Sequence, residues 1–221
     1  MSTSQEVLPP QEHLLKLRET LYLQAIEAAK LDFFSFTKFI APSLVPDFKI
    51  GKHIEVICQK LQRVVDSPDP QRLMVFLPPR SSKSLICSQL FPAWYIGNYP
   101  SHEIMSISHS DQLASDFGRT VRDILKMPLY QEIFPAATLR EDVRAAGKWK
   151  TKQNGIYYAA GVRSQIAGRG AHIALIDDAV RRRRLLRGRA KVHQGMVPLW
   201  SQNQTDAQRL CHHHQHPVPR R

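Results

Sequence analysis

Residues 73–84 read LMVFLPPRSSKS, and the fold depends on how this stretch is interpreted. Residues 73–77 form a short apolar run that suits a fully buried strand, stopped by Pro78 and Pro79. Lys83 and Ser84 then open a predicted helix over 84–96. Strand, tight loop and helix start together make the layout of a phosphate-binding loop. In such a loop backbone N–H groups face phosphate oxygens, a lysine bridges the terminal phosphates, and a hydroxyl holds Mg²⁺. Pro79, Arg80, Ser81, Ser82, Lys83 and Ser84 are the residues it would present to ATP. The usual GxxxxGK[ST] pattern is not met, because Leu77 and Ser82 occupy its glycine positions. The competing reading is an ordinary helix start capped by Ser81 or Ser82.

Outward from the loop, strands and helices alternate. Upstream, 11–30 carries Leu14, Leu17, Leu21, Leu23, Ile26 and Ala29 near helical spacing, and 52–65 places Ile54, Ile57, Leu61 and Val64 on one helical face. Between them, 31–50 is aromatic-rich and broken by Pro42 and Pro46; Ser67, Pro68, Asp69 and Pro70 form a turn. Downstream, 103–108, 155–160 and 173–176 read as strands and 111–127 as a long amphipathic helix. The alternation predicts an α/β fold, a P-loop NTPase-like parallel sheet flanked by helices. A helical N-terminal segment over 1–70 would precede an ATPase core over 71–180, with an irregular tail over 181–221.

Functional residues in such sheets lie beyond the carboxyl ends of the strands. A second cluster, IALIDD at 173–178, falls there as the loop does. A hydrophobic strand ending in a carboxylate supplies the metal partner that a phosphate loop needs, so Asp177 and Ser84 are the expected Mg²⁺ ligands. Asp178 would polarise the attacking water. The alternative is two acids capping the next segment. Charge developing on a transferred phosphoryl group calls for a guanidinium, and Arg80 and Arg169 are the candidates, each with a solvated loop position as its competing reading. Lys52 and His53 fit a surface or core role better than a base pocket. Cys58 and Cys87 fall on apolar helix faces, and Phe33, Phe34, Phe36 and Phe39 read as packing.

The 221 residues, 43% hydrophobic and 23% charged, suffice for one domain and exclude a large two-part enzyme. Cys58, Cys87 and Cys211 are widely spaced and form no CxxC pair, which indicates neither a disulfide framework nor a zinc knuckle. With no apolar stretch of membrane-spanning length and no export signal, a cytoplasmic protein without membrane contact is expected.

The linked blocks PPRSSKS, FPAWYIGNYP, SHSDQLASDFGRTVRDIL and QIAGRGAHIALIDD closely resemble the ATPase half of the large subunit of tailed-phage terminases, the motors that package DNA into proheads. The resemblance runs over roughly residues 33–180. It implies that Lys83 and Ser84 are the Walker A pair, Asp177 the Walker B acid, and Asp178 the counterpart of a catalytic glutamate. It further implies ATP and Mg²⁺, double-stranded DNA, a terminase small subunit and portal as partners, a homo-oligomeric ring, and work in the host cytoplasm rather than in the virion. A helicase-type P-loop protein would share the ATP chemistry but would need further motifs after Asp178.

The net charge of +12 is unevenly placed: residues 179–221 hold 10 of the 31 Lys and Arg but 1 of the 19 Asp and Glu. With only Asp206 after Asp178, the nuclease half that terminases carry cannot be built from this tail. A nonenzymatic basic segment that binds nucleic acid is one reading. Consecutive histidines there suit an unstructured tract better than a metal site. The genetic code offers another account. Read one nucleotide on, the CAY codons of His212, His213 and His214 become AYC, each Ile or Thr. The junction of Met196 and Val197 becomes tryptophan. The shifted string is compatible with W-Y-R-S, T-R-L-M-P and V-I-I-I-N-T-R at spacings that resemble the next stretch of the terminase ATPase. The tail is therefore expected to be out-of-frame translation, and the chain a truncated terminase fragment.

Overall fold

The computed structural model describes residues 10–164 and 168–179. Its elements are α1 (Pro10–Leu31), α2 (Phe33–Leu44), α3 (Lys52–Asp66), a π-helical segment (Leu85–Leu90) running into α4 (Phe91–Asn98), β1 (Glu103–Ser108), α5 (Asp111–Leu125), α6 (Pro128–Ile133), β2 (Leu139–Ala145), β3 (Lys148–Thr151), β4 (Ile156–Gly161) and β5 (Ile173–Ile176). The strands make a five-stranded sheet in the order β2-β3-β4-β1-β5. β1 runs parallel to β4 and β5, and β3 is antiparallel to β2 and β4. The chain is thus mixed α/β with a parallel centre and flanking helices. Residues 10–164 and Ala171–Ala179 belong to one compact unit; the exposed residues 168–170 belong to a second.

Local chemistry sets the helix starts. The Asp32 carboxylate accepts the Ser35 N–H at 2.6 Å to open α2, and the Ser110 hydroxyl accepts the Leu113 N–H at 3.3 Å to open α5. α5 then lays Ala114, Phe117, Val121 and Ile124 on the sheet. Phe33 and Phe36 are buried and meet Phe91, Trp94, Tyr130 and Phe134, while Phe34 and Phe39 are half-buried, so the early aromatics are packing. Cys58 is buried and Cys87 half-buried, as their helix faces imply. Among the described residues no helix is long and apolar enough to cross a membrane.

Three expectations need correction. Residues 73–77 form no strand and have no strand partner among the described residues, with Met74 and Phe76 80% and 85% exposed. Their nearest strand by sequence logic, β5, is the last of the sheet and pairs with β1 alone. An apolar run without a hydrogen-bonded neighbour stays irregular. The second correction is the hairpin β2–β3, joined through Ala146 and Gly147, which the sequence reading did not anticipate. It is fixed by Trp149, stacked on Tyr157 at 4.8 Å and donating its indole N–H to the Gly118 carbonyl at 3.1 Å. The third is α2, which continues through Pro42 and ends two residues beyond it.

Candidate functional site

The carboxyl edge of the parallel strands gathers the chemistry. β5 is followed by Asp177, whose N–H donates to the Ile107 carbonyl at 2.9 Å, and the Asp178 carbonyl accepts the His109 N–H at 3.1 Å. These bonds to β1 and the residue after it fix where both carboxylates stand. Across from them is the loop of residues 79–82. Arg80 and Ser82 take positive φ, 65° and 58°, a backbone region that glycine enters freely and other residues at a cost. The Ser82 carbonyl accepts the Ile86 N–H at 3.0 Å and so starts the helical turn that carries Lys83 and Ser84.

From that turn Lys83 Nζ reaches Asp177 Oδ1 at 2.8 Å and Asp178 Oδ1 at 3.6 Å. Ser88, one turn on, donates its hydroxyl to Asp177 Oδ2 at 2.9 Å, and the Ser84 hydroxyl also bonds Asp177. Asp177 is 6% exposed. Burial pushes its carboxyl upward, but the bonds from Lys83, Ser84 and Ser88 and the Lys83 charge outweigh that and hold it below the usual carboxylate range. The Lys83 ammonium is raised, by the Asp177 bond first, against a smaller opposing effect of burial, with the charges of both aspartates adding. Cys87, on the same helix, has its thiol pushed up to about 12 by burial and by the Asp177 charge.

The expected site residues divide as follows. Lys83, Ser84, Asp177 and Asp178 come together. Ser81 and Ser82 lie half-buried in the same loop, while Pro79 and Arg80 are exposed on it. Arg169 is exposed and belongs to the second unit, so the cluster is described without it. No side-chain cap closes the start of the π-helical segment among the described residues. Lys52 and His53 lie on the surface, where Lys52 pairs with Glu55 at 2.9 Å. His212, His213, His214 and the rest of the tail from residue 180 on lie outside the described residues.

The sequence reading missed Ser88 and the strand-end residues. Ser88 stands four residues after Ser84, one helical turn, and that spacing was its only signal. The Ser108 hydroxyl, at the end of β1, is buried without a hydrogen-bond partner among the described residues. The Asp111 carboxylate accepts the Gly161 N–H at 2.7 Å and the Ser164 hydroxyl at 2.5 Å, bonds that lower its acidity range and tie the end of β4 to the start of α5.

Among the described residues no three His, Cys, Asp or Glu side chains gather into a metal cluster. One buried carboxylate, one exposed carboxylate and a hydroxyl are too few for a resident ion, yet they suit Mg²⁺ that arrives on a nucleotide and keeps its phosphate and water ligands. No family model, curated protein or solved structure matches the chain.

Proposed function

We propose that this site binds the triphosphate of MgATP, and that the chain is an ATPase of the terminase large-subunit type. The observation that supports it is the 2.8 Å contact of Lys83 with Asp177 at the carboxyl edge of a parallel sheet, next to a loop whose backbone bends where phosphate loops carry glycine. In this reading Lys83 and the N–H groups of residues 80–84 hold the phosphates. Ser84 and Asp177 hold the Mg²⁺ brought with them, and Asp178, exposed beside the cleft, orients the attacking water. Arg80 is placed on the loop to meet charge on the phosphoryl group; Arg169 remains a second candidate. The partners that follow are double-stranded DNA, a small subunit, a portal and further copies of the chain in a ring, in the cytoplasm of a host cell.

Titration with a fluorescent ATP analogue and Mg²⁺ tests the reading. Lys83→Ala is expected to weaken binding at least tenfold and Asp177→Asn to remove its Mg²⁺ dependence; unchanged affinity in both variants would overturn it. The charge segregation of the tail favours a second reading, a basic nucleic-acid-binding remnant. In that case deletion of residues 181–221 abolishes DNA binding, the binding of the full chain collapses with salt, and ATP binding is absent.

A further inference from the structure

Ser88 holds neither phosphate nor ion in the ATPase reading, yet it grips Asp177, the carboxylate that would. A serine inside a helix ordinarily turns its hydroxyl back to a carbonyl of the preceding turn. This one reaches across to the end of β5 and donates to Asp177 Oδ2 at 2.9 Å, with Ser88 2% exposed. The other oxygen, Oδ1, receives Lys83 Nζ at 2.8 Å. The two oxygens of one carboxylate are thus divided between two residues five apart in the chain. The π-helical segment Leu85–Leu90 favours that division, for its bonds span five residues, as from the Phe91 N–H to the Ile86 carbonyl. A turn that closes over five residues brings positions five apart toward one face, whereas α geometry sets them about 140° apart.

The two bonds meet different fates in the ATPase reading, on which this inference rests. Lys83 transfers to the incoming phosphates and vacates Oδ1, while buried Ser88 keeps Oδ2. We propose that Ser88 is a positioning residue: it reserves Oδ2, so that Asp177 offers a divalent ion one oxygen rather than two, and the site favours Mg²⁺ over Ca²⁺. The discrimination follows from the ions. Mg²⁺ is small, keeps a near-octahedral shell with several waters, and takes single oxygens from its carboxylates. Ca²⁺ accepts more oxygens in a looser shell, often both from one carboxylate. A carboxylate with one oxygen already bonded serves the first ion fully and the second poorly.

The test measures affinity for a fluorescent ATP analogue with Mg²⁺ or Ca²⁺ as the sole divalent ion, in the full chain, Ser88→Ala and Ser88→Thr. Ser88→Ala is expected to shift the ratio of Mg²⁺-supported to Ca²⁺-supported affinity toward Ca²⁺ by about fivefold or more, and Ser88→Thr, which keeps the hydroxyl, to hold the parental ratio. A serine needed for packing alone would lower both affinities together. A ratio within about twofold of the parent in Ser88→Ala therefore overturns the proposal, as does an alanine-like ratio in folded Ser88→Thr. Infrared difference spectra give a readout that needs no turnover. The two carboxylate stretches that Asp177→Asn removes should draw closer together when Ca²⁺ and nucleotide bind Ser88→Ala, the mark of chelation by both oxygens, and not in the parent; equal splitting in the two proteins overturns the proposal. Should Ser88→Ala fail to fold, Ser88→Cys, with its weaker donor, is read by the same ratio, and an unmoved ratio there overturns the proposal. The parent chain decides the ATPase reading by itself. Nucleotide binding that ignores divalent ions rejects that reading and this inference with it, whereas Mg²⁺-dependent binding with an unmoved ratio in Ser88→Ala rejects this inference alone.

Discussion

At the scale of single residues, Ser82 shows how the loop after Pro79 turns without a glycine. Its φ of 58° is the conformation for which phosphate loops use glycine, and a serine there accepts strain of about 1 kcal/mol in return for a hydroxyl in the loop. Ser82→Val, β-branched and least tolerant of that region, should destabilise the fold by about 1–2 kcal/mol. Ser82→Gly should stay within about 0.5 kcal/mol of the parent, because relief of strain offsets the added freedom of the unfolded chain. Urea unfolding of the two variants checks this; equal losses would show that the left-handed turn is not what Ser82 provides. The residues that make the cluster, Lys83, Ser84, Asp177 and Asp178, were legible because a lysine after a proline-stopped apolar run and a paired acid after a strand are local patterns. Ser88 and Ser108 were not, since a lone serine in a helix or strand carries no pattern of its own.

At the scale of elements, the legible parts were those with a strong period or a bounded apolar run: α1, α3, α5, β1, β4 and β5. The hairpin β2–β3 was illegible because its pairing is decided by a distant contact, Trp149 and Tyr157 packed under α5 at Gly118. That contact is close. A Cβ on Gly118 would stand 2.5 Å from the Ala146 carbonyl oxygen and 3.0 Å from the Tyr157 ring, so helix and hairpin would have to separate. Gly118→Ala is therefore expected to cost about 1–3 kcal/mol despite the better helix propensity of alanine. Thermal unfolding measures it, and a stabilised variant would refute the close approach. Residues 73–77 failed for the opposite reason: the composition of a strand was present, but a strand is a property of two segments, and the described structure contains one.

At the scale of the whole molecule, stability should depend on pH through both ends of the sheet. At the amino ends, His102 stacks on Tyr99 at 4.9 Å and on His172 at 4.0 Å, and its Nδ1 meets the Tyr95 hydroxyl at 2.7 Å. Burial, then the charge of His172, pulls His102 below its ordinary 6.5. A lowered value means the unfolded chain takes the proton first, so this contribution is whole above 6.5 and fades as the pH falls. At the carboxyl ends, lowered Asp177 keeps its contribution above the ordinary 3.8 and loses it in stronger acid, while raised Lys83 keeps its own below 10.5 and loses it in stronger base. The melting temperature should thus form a plateau from about pH 7 to about pH 9, above which the thiols of Cys58 and Cys87, raised by burial, ionise first in the unfolded chain, with an acid shoulder below 6.5 that His102→Gln removes; a shoulder that survives this substitution would assign the titration elsewhere. The ammonium resting on Asp177 has one more consequence. A lone anion would have to draw the lysine from its carboxylate and leave that charge to the Ser84 and Ser88 hydroxyls, and a lone divalent ion would displace the lysine onto exposed Asp178. In the proposed reading, guest pairs that carry both charges would exchange partners with Lys83 and Asp177 in a single swap, which would favour them over half-loaded visitors.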